Sequence, residues 1–267
     1  MCGNAFGMSS FGYLKYTGVV LSALVLVACA SERKRPSWNE IQELQSKDYT
    51  LATWYSISKK GKPLRVYIEG DGYSFTKDGR PTDNPTPRHH FWQNIAKVDP
   101  NPNVAYLARP CQYIQSKKCS VKDWTTGRFS KEIIESMDNA ILELMRKAET
   151  DKVILLGYSG GGQVAAMLAV QHPQNTLYLY TVAGVLDHDQ WTRYHKATPL
   201  SQSRKLDIKN IYTIPQMHFV GENDKVLPPS LTQYVMPGYM ITVVPNATHM
   251  SGWDEAKKKL YKKVNGE

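Results

Sequence analysis

"KVILLGYSGGGQVAAMLAVQHP", residues 152–173, changes its pattern halfway along. Up to Tyr158 it is almost continuously apolar, as a strand covered on both faces of a parallel sheet would be; beyond the glycines the apolar residues follow a helical period. Ser159 stands at the junction, within Gly157-Tyr158-Ser159-Gly160-Gly161. A strand-to-helix turn this tight excludes side chains two residues before and after the serine, because they would collide with the neighbouring helix or strand. The serine is then displayed at the carboxyl edge of a sheet. Gly160 directs its backbone N–H from the first helical turn toward the space in front of Oγ, where an oxyanion would form.

The flanking sequence fits that turn. "LATWYSI", "LRVYIEG", "VAYLARP", "KVILLGY", "LYLYTVAG", "QMHFVG" and "MITVVP" read as strands. Between them, "SKEIIESMDNAILELMRKAE" repeats Ile133, Ile134, Met137, Ile141, Leu144, Met145 and Ala148 at helical spacing, with Ser130 placed as N-cap. Strand–helix alternation predicts an α/β fold: an open, mostly parallel twisted sheet with helices on both faces and sites at the carboxyl ends of its strands. At 267 residues and 42% hydrophobic, the chain can bury one sizeable core.

"GGGQVA", residues 160–165, also satisfies a dinucleotide-binding fingerprint. That reading needs an acidic residue closing the next strand, to hold a ribose. Here the next strand ends in "TVAG" and Asp187 arrives only in the loop beyond, so no nucleotide cofactor is expected. A serine nucleophile instead needs a base and an orienting carboxylate. Asp224 follows the strand in "QMHFVGENDKVLPP" and His249 follows the one in "MITVVPNATHMSGW". Glu222 and Asp187 are the alternative acids. Among the histidines at 89, 90, 172, 188, 195, 218 and 249, only His249 follows the last strand.

The order Ser159, Asp224, His249, each just past a strand, resembles the α/β-hydrolase superfamily from about residue 66 to residue 253. "YIEGDG", "NVAYLARPCQY", "GRFS", "GYSGGG", "WTRYH" and "THMSGW" together resemble a little-characterised group of exported bacterial hydrolases. The resemblance implies a serine hydrolase acting on a small-molecule ester or amide, with an ester hydrolase favoured over a peptidase, amidase or acyltransferase. It implies no metal and no cofactor. A non-catalytic binding lipoprotein that keeps the hydrolase fold is the rival from another class. "EGDG", residues 69–72, takes the place of the His-Gly-x of lipases and esterases, so the backbone N–H of Asp71 is the expected second oxyanion donor and Gly72 the alternative. The Asp71 carboxylate would then have to turn away, toward Arg80, Arg88 or Arg109. Residues 185–215 are too few for a large cap, leaving loops such as "YSFTKDGRPTDNPTPRHH" and the segment around the cysteines to roof the cleft.

The N-terminus reads separately. After Lys15, the 14-residue run "TGVVLSALVLVACA" falls short of the roughly 20 residues that span a bilayer, and reads as a signal peptide. Its end, "LVAC", resembles the lipobox of bacterial lipoproteins, with cleavage before Cys29 and acylation of that cysteine. An ordinary secretory signal cut after Ala28 or Ala30 is the alternative, and the start codon is Met1 or Met8. The expected division is signal 1–28, tether 29–48 and hydrolase domain 49–267. Ala30 after the cysteine implies the outer membrane, facing the periplasm. In an oxidising compartment Cys111 and Cys119 form an even pair and are expected to be bridged. The 33 Lys and Arg against 24 Asp and Glu give +9, spread along the chain except in "EAKKKLYKKV", where Ala256, Leu260 and Val264 mark one face of a terminal helix. No nucleic-acid motif accompanies this charge.

Overall fold

The computed structural model describes Trp38 and residues 40–264. The signal segment, Cys29 and residues 30–37 of the tether lie outside the described residues. Eight strands, Gln42–Ser46 (β1), Tyr49–Ile57 (β2), Leu64–Ile68 (β3), Asn103–Leu107 (β4), Val153–Tyr158 (β5), Thr176–Val182 (β6), Gln216–Gly221 (β7) and Ile241–Val244 (β8), form one sheet in the order β1-β2-β4-β3-β5-β6-β7-β8. From β4 to β8 neighbours run parallel, while β1 and β2 add an antiparallel edge. The seven expected strands are all present. The sheet starts earlier than expected, at Gln42 rather than near Tyr49, so the last part of the expected tether is an edge strand. Its sequence, "QELQS", buries only Leu44 and Ser46. A strand with one neighbour can be polar over most of its surface, which removes the hydrophobic signal. Ser46 and Ser136 fasten it by donating to each other's carbonyls, at 2.6 and 3.1 Å.

Successive side chains in a strand point to opposite faces, and both faces here are covered. Leu51, Val66, Ala105 and Leu155 belong to one hydrophobic cluster, with residues of Lys131–Lys147 and Gly160–Gln171; Ala52, Tyr67, Tyr106 and Ile154 belong to the other, with residues of Phe91–Lys97 and Asp254–Leu260. In chain order the helices are Phe91–Lys97 (α1), Lys131–Lys147 (α2), Gly160–Gln171 (α3), His188–Tyr194 (α4), Ile208–Ile211 (α5), Pro229–Val235 (α6) and Asp254–Leu260 (α7). Ser130 caps α2 as expected, its side chain accepting from the N–H of Ile133. Within α7, Ala256 and Leu260 are fully buried; the helix ends there, and Val264 packs against the same cluster from beyond it. The buried Arg65 of β3 locks α7 in place: it pairs with Asp99 at 3.0 Å and donates to the carbonyl of Leu260, one of the orphan acceptors of a helix end.

Two details shape the cleft. Residues 185–215 carry only the short helices α4 and α5, with no cap layer. Cys111 and Cys119 are bridged, their Cα atoms 5.7 Å apart.

Candidate active site

Ser159 links β5 directly to α3, with φ 50° and ψ −124°. A non-glycine residue in that region costs on the order of 1–3 kcal/mol and persists only where its surroundings fix it. Three backbone bonds do so: Ser159 N–H donates to Val182 O at 3.1 Å, and its own carbonyl accepts from Gly162 and Val185, both at 2.9 Å. The flanking glycines are obligatory by contact. A Cβ on Gly157 would lie 2.3 Å from Gly161 O, and one on Gly161 would lie 2.4 Å from Glu69 O.

The turn after β8 brings His249 to the serine. Its Nε2 is 3.1 Å from Ser159 Oγ, and its Nδ1 is 2.8 Å from Asp224 Oδ2. With the ring proton on Nδ1 donating to the carboxylate, the Nε2 lone pair faces the hydroxyl. Asp224 Oδ1 accepts from the N–H groups of Val226 and Leu227, each at 2.8 Å. Burial pushes the Asp224 carboxyl up, but the hydrogen bond and charge of His249 together with those two N–H groups hold it below the ordinary aspartate value. The alternative acids are used elsewhere: Glu222 accepts from Asn246 N–H at 2.9 Å, and Asp187 caps α4 through Gln190 N–H at 3.0 Å. Tyr158 packs its ring beside His249 and donates to the His249 carbonyl at 3.1 Å.

The segment after β3 faces the same serine. A Cβ on Gly160 would fall 2.1 Å from Asp71 Oδ1, so the Asp71 carboxylate lies against the start of α3. Arg128 Nη1 holds it at 3.1 Å and Arg109 Nη1 at 3.4 Å. Of the three arginines expected there only Arg109 arrives; Arg80 pairs with Asp78, and Arg88 stacks on the ring of Tyr73. Gly72 lies beside Pro85, whose carbonyl accepts from Tyr73 N–H at 2.9 Å. Side chains brace the loop. Ser74 Oγ donates to Asp71 O at 2.5 Å, and Gln112 Nε2, next to the bridged Cys111, donates to Gly70 O at 2.9 Å. Glu69 accepts from Gly70 N–H and from Tyr106 OH. Burial pushes the Glu69 carboxyl up to about 7, even against those two bonds.

The cleft around Ser159 has two parts. A small pocket is bounded by Asp71, Arg128, Phe129, His188, Trp191 and Leu227. A wider groove is bounded by Tyr73, Phe75, Phe91, Trp92, Tyr158 and Met250, together with Arg88 and His89. The expected roofing loop thus supplies Tyr73 and Phe75 to a groove whose other aromatic residues include Phe91 and Trp92 of α1 and Tyr158 of β5, while the bridged segment stands behind the Gly70 carbonyl. Several residues of the small pocket were not expected as site residues, among them His188 and three that "GRFS" and "WTRYH" contain, Arg128, Phe129 and Trp191. Buried His188 faces Gln163 at 2.8 Å through Nδ1, and burial lowers its pKa against the pull of Asp189 and Asp187.

A family profile described as "Serine hydrolase (FSH1)" matches residues 89–250, more than half of the chain. No curated protein sequence matches. Among solved structures, an alpha-beta serine hydrolase homologue from Coxiella burnetii aligns with TM-score 0.54 and 15% identity, over 84% of this chain and 94% of that one. An a/b serine hydrolase without lid from Xanthomonas campestris aligns with TM-score 0.50 and 14% identity, over 83% and 89%. An esterase from Pyrococcus furiosus aligns with TM-score 0.55 and 13% identity, over 83% and 90%. At these identities the likeness is one of fold, that of an α/β hydrolase. The profile match goes further, and the chain belongs to the serine hydrolase (FSH1) family.

Proposed function

We propose that this serine hydrolase cleaves carboxylic esters through an acyl-enzyme on Ser159. The observation that carries the reading is the unbroken hydrogen-bonded series from Ser159 Oγ through the His249 ring to Asp224, at 3.1 and 2.8 Å. Ser159 Oγ attacks the ester carbonyl carbon while His249 Nε2 takes its proton, and Asp224 holds the tautomer and stabilises the imidazolium. The developing oxyanion is met by the backbone N–H groups of Gly160 and Asp71, neither of which has an acceptor among the described residues. Collapse of the intermediate breaks the ester C–O bond, and His249 returns the proton to the departing alcohol. Water, deprotonated by His249, then releases the acid. The Asp71 side chain does not oppose this charge, because two arginines stand around one carboxylate.

Esters are favoured over peptides because the wider groove is aromatic and, among the described residues, no further domain is added to the sheet and its helices to hold an extended chain. A panel of p-nitrophenyl esters and aminoacyl anilides tests this. Wild type is expected to turn over short-chain esters far above the Ser159→Ala background and to leave the anilides intact; the opposite pattern makes it a peptidase or amidase.

The same proposal places the enzyme in the bacterial cell envelope, anchored through lipid on Cys29 and facing the periplasm. The Cys111–Cys119 bridge supports an oxidising compartment. Cys29→Ser is expected to abolish metabolic palmitate labelling and move the protein to the soluble fraction; unlabelled wild type that washes from membranes in high salt would replace the anchor with ordinary secretion.

A further inference from the structure

Arg128 is only 5% exposed, yet it borders both the small pocket and the wider groove, each of which also contains Ser159. Its Nη1 meets Asp71, but its Nε is buried and has no acceptor among the described residues; the Nε of Arg109 is in the same state. Arg109, equally buried, draws on the same Asp71 carboxylate and donates to the Arg128 carbonyl. Two guanidinium groups therefore share one carboxylate in a water-poor site, and buried cations are rarely left so incompletely matched.

The neighbouring carboxylates do not make up the difference. Asp224 is committed to His249, Asp189 pairs with Lys205, and the Glu69 oxygens serve Gly70 and Tyr106. The Arg128 guanidinium lies 5.4 Å from the ring centre of Trp191 and 5.8 Å from that of Phe129, contacts that attract the cation weakly and offer it no hydrogen-bond acceptor. This is a half-satisfied cation beside the nucleophile, and a bound anion would complete it.

We propose that Arg128 recognises a carboxylate on the substrate, so that the preferred ester carries a free carboxylate, on its acyl or its alcohol side, and this anionic end occupies the small pocket. The inference rests on Ser159 being the nucleophile of an ester hydrolase. A planar guanidinium suits a carboxylate better than a point charge does. A neutral chain in the same pocket would leave the surplus charge against apolar atoms, which is discrimination by desolvation.

Two pairs of esters test it and separate the carboxylate's possible positions. Monoethyl glutarate against ethyl 5-methylhexanoate places the charge on the acyl side; 4-acetoxybutanoate against 4-methylpentyl acetate places it on the alcohol side. In one pair, wild type is expected to favour the anionic ester in kcat/KM by at least about tenfold, the scale of one charged hydrogen bond. Arg128→Gln is expected to erase that ratio, Arg128→Lys to keep part of it, and added salt to shrink it. Asp71→Asn, which removes the internal competitor, is expected to raise the ratio and decides the matter if Arg128→Gln does not fold. Ratios near one in both wild-type pairs, or a ratio that Arg128→Gln leaves unchanged, overturn the proposal while ester turnover keeps the hydrolase reading intact. If neither pair is cleaved and Ser159 resists a serine-directed probe, the hydrolase reading falls first and this proposal falls with it.

Discussion

His249→Ala is expected to lower kcat for a cleaved ester by about 10⁴-fold or more and to leave a folded protein. The loss is large because, in the proposed mechanism, the imidazole acts in both half-reactions, first accepting the serine proton and then activating water, and among the described residues no second base bonds Oγ. His188, the other histidine of the small pocket, spends its Nδ1 on Gln163 and sits where burial disfavours its charged form. Folding survives because His249 lies on a turn held by other groups. Thr248 N–H donates to Ser251 O at 3.0 Å, Asn223 N–H to Ala247 O at 2.9 Å, and Asp224 keeps its bonds from Val226 and Leu227. Steady-state kinetics beside a thermal melt checks both halves. Near wild-type turnover in the variant would remove His249 from the mechanism, and loss of the cooperative melt would remove the argument that the turn is independently held.

What was legible in the sequence follows from which physical signals are local. β4 and β5 are buried at every position, so their near-continuous apolar runs are visible without knowing their partners. The elbow is legible because collision between Gly157 and Gly161 is a property of five consecutive residues. Asp224 and His249 are legible by position, since each follows a strand whose carboxyl end faces the same edge as Ser159. β1 was not legible, because "QELQS" carries no pattern of its own and is a strand only through its pairing with β2 and its serine contacts to α2.

The same distinction explains the misassigned part of the site. The sequence required that Asp71 find a cation, and Arg109, just past β4, was among those expected. Arg128 lies in an irregular stretch before the cap of α2, with no period or spacing to point it toward a loop 57 positions earlier. Gln112 was missed for a related reason. Its amide reaches Gly70 O because the chain turns sharply around the bridged Cys111, whose φ is 72°. These contacts are set by tertiary packing, and a single sequence records their residue types without their meeting points.

The central claim is that Ser159 is the nucleophile, and covalent capture measures it most directly. A fluorophosphonate phosphonylates only a serine whose proton can be removed and whose oxyanion can be held, so labelling demands the elbow, the His249 contact and the backbone donors at once. By intact mass, wild type is expected to gain one phosphonyl group, mapped by peptide sequencing to residue 159, and Ser159→Ala is expected to gain none. Wild type that stays unlabelled under conditions that label a known serine hydrolase, or a Ser159→Ala variant that still takes up the probe, would contradict the account.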